Sequence, residues 1–360
     1  MDSASEPDRV TRTRVQASTP AADPIHTFAA RDLEAAPLVP AEAREELLAL
    51  KSGAMFVCAR PDGDIRAARA SGEGLYVCDT RHLSELRLIV GGSPPVLLSS
   101  SMQSGHHAVI NATNPRLQSG GVEVASQETL NVRRTVLIAD RLYYRVRVRS
   151  FLPKPIATTV ELLLGADFAD VFEVRGIERR KNGRVLAPVR EGDGVRFAYV
   201  GEDGERRETF VELSPAPARI ETAGQRAHVV WDVELKSGEA VTLLVTIDRG
   251  SAAAGGEPPA MEQAAVRLEQ AHRDWEAACA RITTDNDMFD RFIDASIRDL
   301  HALMMPAVDS ALPAAGIPWY VAPFGRDSLL ASCESLMINP EVARGTLLAL
   351  AQLQAQRDEP

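Results

Sequence analysis

Cysteine is scarce: Cys58, Cys78, Cys279 and Cys333 are the only four in 360 residues. They are too dispersed for a CxxC metal knuckle and too few to staple a chain of this size, so buried free thiols are expected. An excess of positive charge is also missing. Forty Lys and Arg stand against fifty Asp and Glu, a net charge of −10, which argues against nucleic acid or an acidic membrane as partner because a polyanion is repelled on average. No apolar run approaches the roughly 18 residues that span a bilayer. The start, Met1-Asp2-Ser3-Ala4-Ser5-Glu6-Pro7-Asp8, lacks a charged region followed by an apolar one, so a cytoplasmic protein is expected. No Ser-centred nucleophile elbow, P-loop or GxGxxG leading into a helix occurs. Neither a cofactor nor a metal is expected, and small neutral substrates stay open.

What is present is the balance of an ordinary globular protein, 45% hydrophobic and 25% charged, with room for two or three domains at about 150 residues each. Residues 1–45 are rich in Pro, Ala, Ser, Thr and charge without a sustained period and predict a mobile arm. A short helix over Pro40 to Leu50 would close it, since Pro40 suits a first helical turn and Glu42, Glu45 and Glu46 favour a helix N-terminus.

Period 2 then takes over, and residues 46–250 predict a large antiparallel β-sandwich. In Leu142-Tyr143-Tyr144-Arg145-Val146-Arg147-Val148-Arg149 the even positions are apolar and the odd ones mostly Arg, the pattern of a strand with one buried and one wet face. The same alternation puts Ile156, Val160, Leu162 and Leu164 on one face, then Val229, Trp231, Val233 and Leu235, then Val241, Leu243, Val245 and Ile247. Asn182-Gly183, Asp193-Gly194 and Asp203-Gly204 are turn pairs that tolerate positive φ.

Residues 251–259, ending in Pro258-Pro259, predict a linker. Beyond it, residues 260–360 turn helical. Met261, Ala265, Leu268, Trp275, Cys279 and Ile282 recur at helical spacing, and Phe289, Phe292, Ile293, Ile297, Leu300 and Met304 form a second stripe capped by Asp285 or Asp287. A Pro- and Gly-bearing loop from Pro306 to Gly325 precedes a third helix. Asn339 as N-cap and Pro340 at the first position open a fourth.

The loop Pro313-Ala314-Ala315-Gly316-Ile317-Pro318-Trp319-Tyr320-Val321-Ala322-Pro323-Phe324-Gly325-Arg326-Asp327-Ser328 carries the most chemistry. Read blandly, Asp327 is an N-cap, Arg326 a surface residue and Trp319 a packed anchor. Read functionally, an aromatic face stacks on the C–H face of a pyranose while Arg326 donates to, and Asp327 accepts from, vicinal hydroxyls.

Three blocks bear on that choice. The segment Ala315 to Ser328 resembles the start of the catalytic domain of bacterial glycogen-debranching-enzyme-like proteins, the amylo-α-1,6-glucosidase group. Gly165-Ala166-Asp167-Phe168-Ala169-Asp170-Val171-Phe172-Glu173-Val174-Arg175-Gly176 resembles the signature of that group's N-terminal β domain, and Gly74-Leu75-Tyr76-Val77-Cys78-Asp79-Thr80-Arg81-His82-Leu83-Ser84 an early strand motif. The resemblance spans roughly residues 50–358. It implies a supersandwich-like β domain followed by an (α/α)6 toroid of the six-hairpin glycosidase type, acting on α-glucosidic bonds. Related toroids hold the nonreducing sugar with an Arg-Asp pair on an early barrel helix, which maps onto Arg326 and Asp327; with the neighbouring Trp319 and Tyr320 these make the expected substrate site, sugar binding being the first expected role of Asp327 and catalytic acid the second.

An inverting glycosidase needs a second carboxylate about 6.5–9.5 Å away. Twelve helices take roughly 300 residues or more, whereas residues 260–360 number 101. The expectation is therefore an incomplete toroid lacking the second carboxylate and inactive alone, with an α-glucan or oligosaccharide as partner and a second copy or a complementing chain completing it. The rival is a noncatalytic glucan-binding or assembly module.

Other features stay bland. The group Asp167, Asp170, Glu173 and Arg175 reads either as a salt-bridged turn at the sandwich edge or as a loop reaching the sugar site; it lacks the glycine and spacing of an EF-hand loop. His106 and His107 alternate faces on a strand and cannot share a metal. The basic run Arg175, Arg179, Arg180, Lys181 and Arg184 has no interleaved aromatics and predicts a solvated hairpin.

Overall fold

The computed structural model describes residues 47–67, 71–177, 183–250 and 260–354. The expected arm over 1–45 and linker over 251–259 lie outside the described residues, as do Asn182 and Arg179 to Lys181 of the basic run.

The chain runs from all-β to mostly helical. A nine-stranded antiparallel sheet has the order Arg184–Val185, Gly194–Val200, Arg206–Ser214, Ala240–Arg249, Leu142–Ser150, Leu130–Ile138, His107–Thr113, Val96–Ser104, with Val189–Glu191 also pairing on Gly194–Val200. A five-stranded sheet, Arg219–Ala223, Arg226–Leu235, Ile156–Gly165, Glu85–Val90, Ile65–Arg66, contributes to the same core. The alternation is decisive: Leu142, Tyr144, Val146 and Val148 point into the core, leaving Arg145, Arg147 and Arg149 on the other face. Each Leu, Val or Ile so buried contributes roughly 1.5–3 kcal/mol. An ion pair sits inside: Arg134, 1% exposed, donates to Asp64, itself 1% exposed, which also accepts the backbone N–H of Leu88 at 3.3 Å.

A third sheet of four strands, Leu48–Ser52, Met55–Ala59, Gly74–Val77 and Thr80–Leu83, is covered on both faces. Met55, Val57 and Ala59 join the main core while Phe56, Cys58 and Tyr76 join a second cluster with Val174, Ala314 and Val321. The first of these strands overturns part of the helix expected over Pro40 to Leu50. Leu48 and Leu50 gain more by pairing with Ala59 and Val57 and entering the core than a short solvated helix offers. The expected Asp193-Gly194 turn is displaced by one residue: Glu191 pairs with Gly194, so the tip is Gly192-Asp193, with φ +58° at Gly192. The expectation of buried thiols holds for Cys58 alone. Cys279 is half-buried and Cys78 and Cys333 are exposed, all four being free.

Among the described residues there are five helices, the first within the β region and the rest after it: α1 (Val171–Val174), α2 (Met261–Ala278), α3 (Asp287–Leu303), α4 (Gly325–Glu334) and α5 (Pro340–Leu353). Asn286, not Asp285 or Asp287, caps α3 by accepting from the N–H groups of Met288 and Phe289, and Asn339 caps α5. The loop expected from Pro306 contains a hairpin, Met304–Ala307 with Ser310–Pro313. Gly345 of α5 lies so close to it that a Cβ there would stand 2.6 Å from the Ala311 carbonyl oxygen. Among the described residues no helix is long and apolar enough to cross a membrane.

Apolar and polar contacts fasten these helices to the sandwich: Met261 and Ala264 of α2 are buried with Leu137, Ala139 and Tyr143, and α3 is held at its end. Lys51, 2% exposed, donates from Nζ to the carbonyls of Ala302 (3.0 Å) and Met304 (2.9 Å), satisfying orphan acceptors at the α3 C-terminus. Beside it His301 stacks on Trp275 at 5.0 Å and meets His272, Nδ1 to Nδ1 at 3.3 Å.

Burial pushes His301 down to about 4, helped by the nearby His272, His106 and Lys51. Burial likewise takes His82, whose Nδ1 lies 3.1 Å from the Thr209 hydroxyl, to about 4. Both are depressed from 6.5, so between about pH 6.5 and 4 the unfolded chain binds more protons than the folded one. Stability present above pH 6.5 is therefore lost as pH falls towards 4. Urea unfolding at pH 7 and pH 4.5 should show the loss, and His82→Gln should flatten the dependence. An unchanged slope in the variant would show that His82 does not titrate in this range.

Candidate functional site

The three sequence blocks converge on one junction. The turn after Gly74–Val77 lies against the segment that follows Ile156–Gly165. Arg81 N–H donates to the Ala169 carbonyl (2.9 Å), Val171 N–H to that of Asp79 (2.8 Å) and Ser84 N–H to that of Gly165 (2.8 Å). Arg81 grips Asp167 through both carboxylate oxygens, Nε to Oδ1 at 3.1 Å and Nη2 to Oδ2, and its Nη1 donates to the carbonyls of Ser71 (3.4 Å) and Glu73 (3.3 Å). Its stem lies across Gly74, where a Cβ would stand 2.6 Å from Arg81 Cδ. Cys78 (φ +46°), Asp79 (φ +62°) and Phe168 (φ +52°) all have left-handed backbone here. Each costs on the order of 1–3 kcal/mol, strain that persists only where the surroundings over-determine it. Burial, then the neighbouring Asp170, raise the Asp79 carboxyl above its usual range.

The acidic segment then builds α1 through a capping box: Asp170 accepts from Phe172 N–H (2.8 Å) and the Glu173 carboxylate accepts from Asp170 N–H (2.9 Å). This directs the next residue outward. The Arg175 guanidinium sits 5.9 Å from the Trp319 ring centroid and 5.8 Å from that of Tyr320, cation–π contacts worth about 0.5–1 kcal/mol each. Trp319 also covers Gly72, where a Cβ would be 3.4 Å from the indole. The acidic segment is thus a salt-bridged turn, and it carries Arg175 to the aromatic loop.

That loop is held by its own backbone: Gly316 and Tyr320 exchange hydrogen bonds at 3.2 and 2.9 Å. Tyr320, 44% exposed, touches Phe324 edge-on at 5.7 Å, which brings the start of α4 beside it. Phe324 is the N-cap of α4, with no side-chain hydrogen bond, so Asp327 is a first-turn acid and not the cap. Arg326 is 84% exposed, its Nε 3.8 Å from Asp327 Oδ1. The next residue turns inward: Ser328 donates to the Pro313 carbonyl at 2.8 Å, and the Ser332 hydroxyl donates to the Ser328 carbonyl (2.6 Å) while sharing a hydrogen bond with the Thr346 hydroxyl (2.7 Å).

Trp319 and Tyr320 are therefore joined through Arg175, and Arg326 with Asp327 open the adjoining helix. Among the described residues no hydrogen bond links the two pairs. Sequence reasoning missed Arg175 as their shared partner and Gly72 as the floor under Trp319. The only sign of the former was an Arg two residues beyond the Glu of the capping box. His106 and His107, though adjacent, enter different surroundings, the first near His272 and His301, the second beside Arg133. Among the described residues no three His, Cys, Asp or Glu side chains gather as a metal site.

Residues 50–246, more than half of the chain, match the family model of the N-terminal domain of some glycogen debranching enzymes. No curated protein matches the sequence. Similar solved structures include a protein named as a kojibiose phosphorylase from the human microbiome (8% identity, TM-score 0.47, covering 71% of this chain and 39% of that one). Galactose mutarotase-like proteins from Clostridium acetobutylicum (8%, TM-score 0.35, 57% of this chain and 95% of that one) and Lactobacillus casei (8%, 0.35, 57% and 100%) are also similar. The chain spans about two fifths of the length of the phosphorylase-named protein.

If Arg81 organises the junction, Arg81→Ala should cost roughly 1.5–3 kcal/mol through its lost charged hydrogen bonds. It should also speed amide exchange across residues 165–176 and 315–321 while leaving the Leu142–Ser150 strand protected. Unaltered exchange in 315–321 would mean that the aromatic loop stands without the sandwich.

Proposed function

The chain belongs to the family of the N-terminal domain of glycogen debranching enzymes, and on that premise we propose that it serves α-glucan metabolism as part of a debranching-type glycoside hydrolase of the amylo-α-1,6-glucosidase kind. The observation that carries the reading is Arg175, a residue of the family domain, lying over Trp319 and Tyr320 of the loop that opens α4. In this reading the half-exposed aromatics offer their faces to a pyranose ring, Arg326 donates to sugar hydroxyls and Asp327 accepts from them. Asp327 is the one candidate acid. Hydrolysis in this reading takes a second carboxylate across the scissile bond from Asp327. The same reading puts the protein in the cytoplasm with its glucan.

Calorimetric titration with maltose and with glycogen tests this. Asp327→Asn, Arg326→Ala and Trp319→Ala should each weaken binding about tenfold or more. The first two should leave folding intact, because Arg326 and Asp327 are exposed. A parent protein that binds neither glucan would sink the proposal and leave Asp327 with its helix-dipole role.

A second reading, a noncatalytic glucan-binding or assembly module, is favoured by the uncovered helices. No residue of α3 is buried, and Met288, Phe292, Leu347 and Leu353 are all more than half exposed. Such faces call for more helices, a second copy or a complementing chain. A monodisperse monomer resistant to proteolysis in residues 287–353 would count against it.

A further inference from the structure

The wet face of the large sheet carries a second site of different chemistry. Arg133 and Arg147 stand directly opposite one another in register on the Leu130–Ile138 and Leu142–Ser150 strands, and both are exposed. Like charges in direct cross-strand opposition are unfavourable. Nearby arginines escape this cost: Arg134 pairs with Asp64, Arg141 with Asp248, Arg145 with Glu262, and Arg149 donates to the Gly238 carbonyl. Neither Arg133 nor Arg147 has an ion pair or hydrogen bond among the described residues. They line a groove of about 380 Å³ closed on its far side by Met261, Glu262 and Ala265 in the first turns of α2, with Val109 on the His107–Thr113 strand adding apolar surface and the Glu262 charge met by Arg145, which also lines the groove. His107 shares the groove, and burial, then the charge of Arg133, hold its imidazole below the ordinary value. The local field is thus positive in a chain of net charge −10.

We propose that this groove binds a phosphomonoester on a small non-ionic body, a sugar phosphate, with the phosphate between Arg133 and Arg147 and the body on Val109, Met261 and Ala265. Opposed cross-strand positions have Cβ atoms about 4.5–5.5 Å apart, so both planar guanidinium forks reach one phosphate and bind it bidentately. The bound dianion removes the repulsion that the empty face sustains. The volume is in the small-molecule class, roughly 300–1,000 Å³. A nucleic acid is a poorer occupant because α2 closes one side of the groove, no aromatic lines it and the remaining surface is acidic on average. The inference does not rest on the glucan site.

Titration of the full chain at low salt with glucose 6-phosphate, inorganic phosphate and glucose tests it. The ester should bind more tightly than inorganic phosphate, and glucose not at all. Arg133→Gln and Arg147→Gln should each weaken the ester about tenfold or more, whereas Arg219→Gln, on the other sheet, should not. Each variant relieves the opposition of like charges, so its melting temperature without ligand should equal or exceed the parent's, and a folded variant that loses only the ligand-induced rise supports the site. No ester binding by the parent, equal binding by parent and both variants, or inorganic phosphate bound as tightly as the ester would each overturn the proposal.

Discussion

The Arg81 guanidinium, buried beneath the junction, grips Asp167 on one side and carbonyls of residues 71 and 73 on the other. Neither partner element is regular there. One is a turn with consecutive left-handed residues, and the other leaves its strand through a left-handed Phe168. Strained backbone of this kind does not persist without outside constraint, and a bidentate charged hydrogen bond is among the strongest constraints available. With it in place, Asp170 and Glu173 close their capping box, α1 forms in only four residues, and Arg175 emerges where Trp319 and Tyr320 lie. Phe56 stacked on Tyr76 at 4.7 Å fills the volume underneath, together with Val174, Ala314 and Val321.

The helical part is held unevenly: α2 buries Met261 and Ala264 against Leu137, Ala139 and Tyr143 of the large sheet, whereas α3 is held by polar groups at its end. Lys51 closes the α3 C-terminus, burial having brought its ammonium down to about 8. Ser328, Ser332 and Thr346 tie α4 to α5 and to the hairpin. The close approach at Gly345 outweighs the roughly 0.5–1 kcal/mol that glycine costs within a helix. End contacts fix where helices point without covering their sides. That is why α3 is anchored and yet has no buried residue.

The parts of the fold legible in the sequence were those where one face is wet. Leu142–Ser150 and its neighbours declared themselves because Arg and apolar residues alternate with the pleat. The four-stranded sheet did not, because Met55–Ala59 is buried at every position and so has no period to read. The hairpin Met304–Ala307 with Ser310–Pro313 hid for a related reason: Met304 and Met305 prolong the apolar pattern of α3, and Pro306 looks like loop. At the candidate site, the chemistry of Trp319, Tyr320, Arg326 and Asp327 could be read from residue type, whereas Arg175 is about 145 positions from the loop it touches. Its role depends on a long-range register that no local pattern encodes.

This division of labour links stability to recognition. The aromatics lie on a loop after α3, but the cation lying over them belongs to the sandwich, so the presentation of Trp319 and Tyr320 depends on strands that close far upstream in the chain. Opening of the turn at Cys78 and Asp79 would release Asp167, then α1, then Arg175, and it would draw on the core as well, because Val77, Leu83, Ala166 and Phe168 beside the turn are buried in it. The order of the aromatic loop therefore draws on the same few contacts that hold Arg81 to Asp167, and these are continuous with the sandwich core.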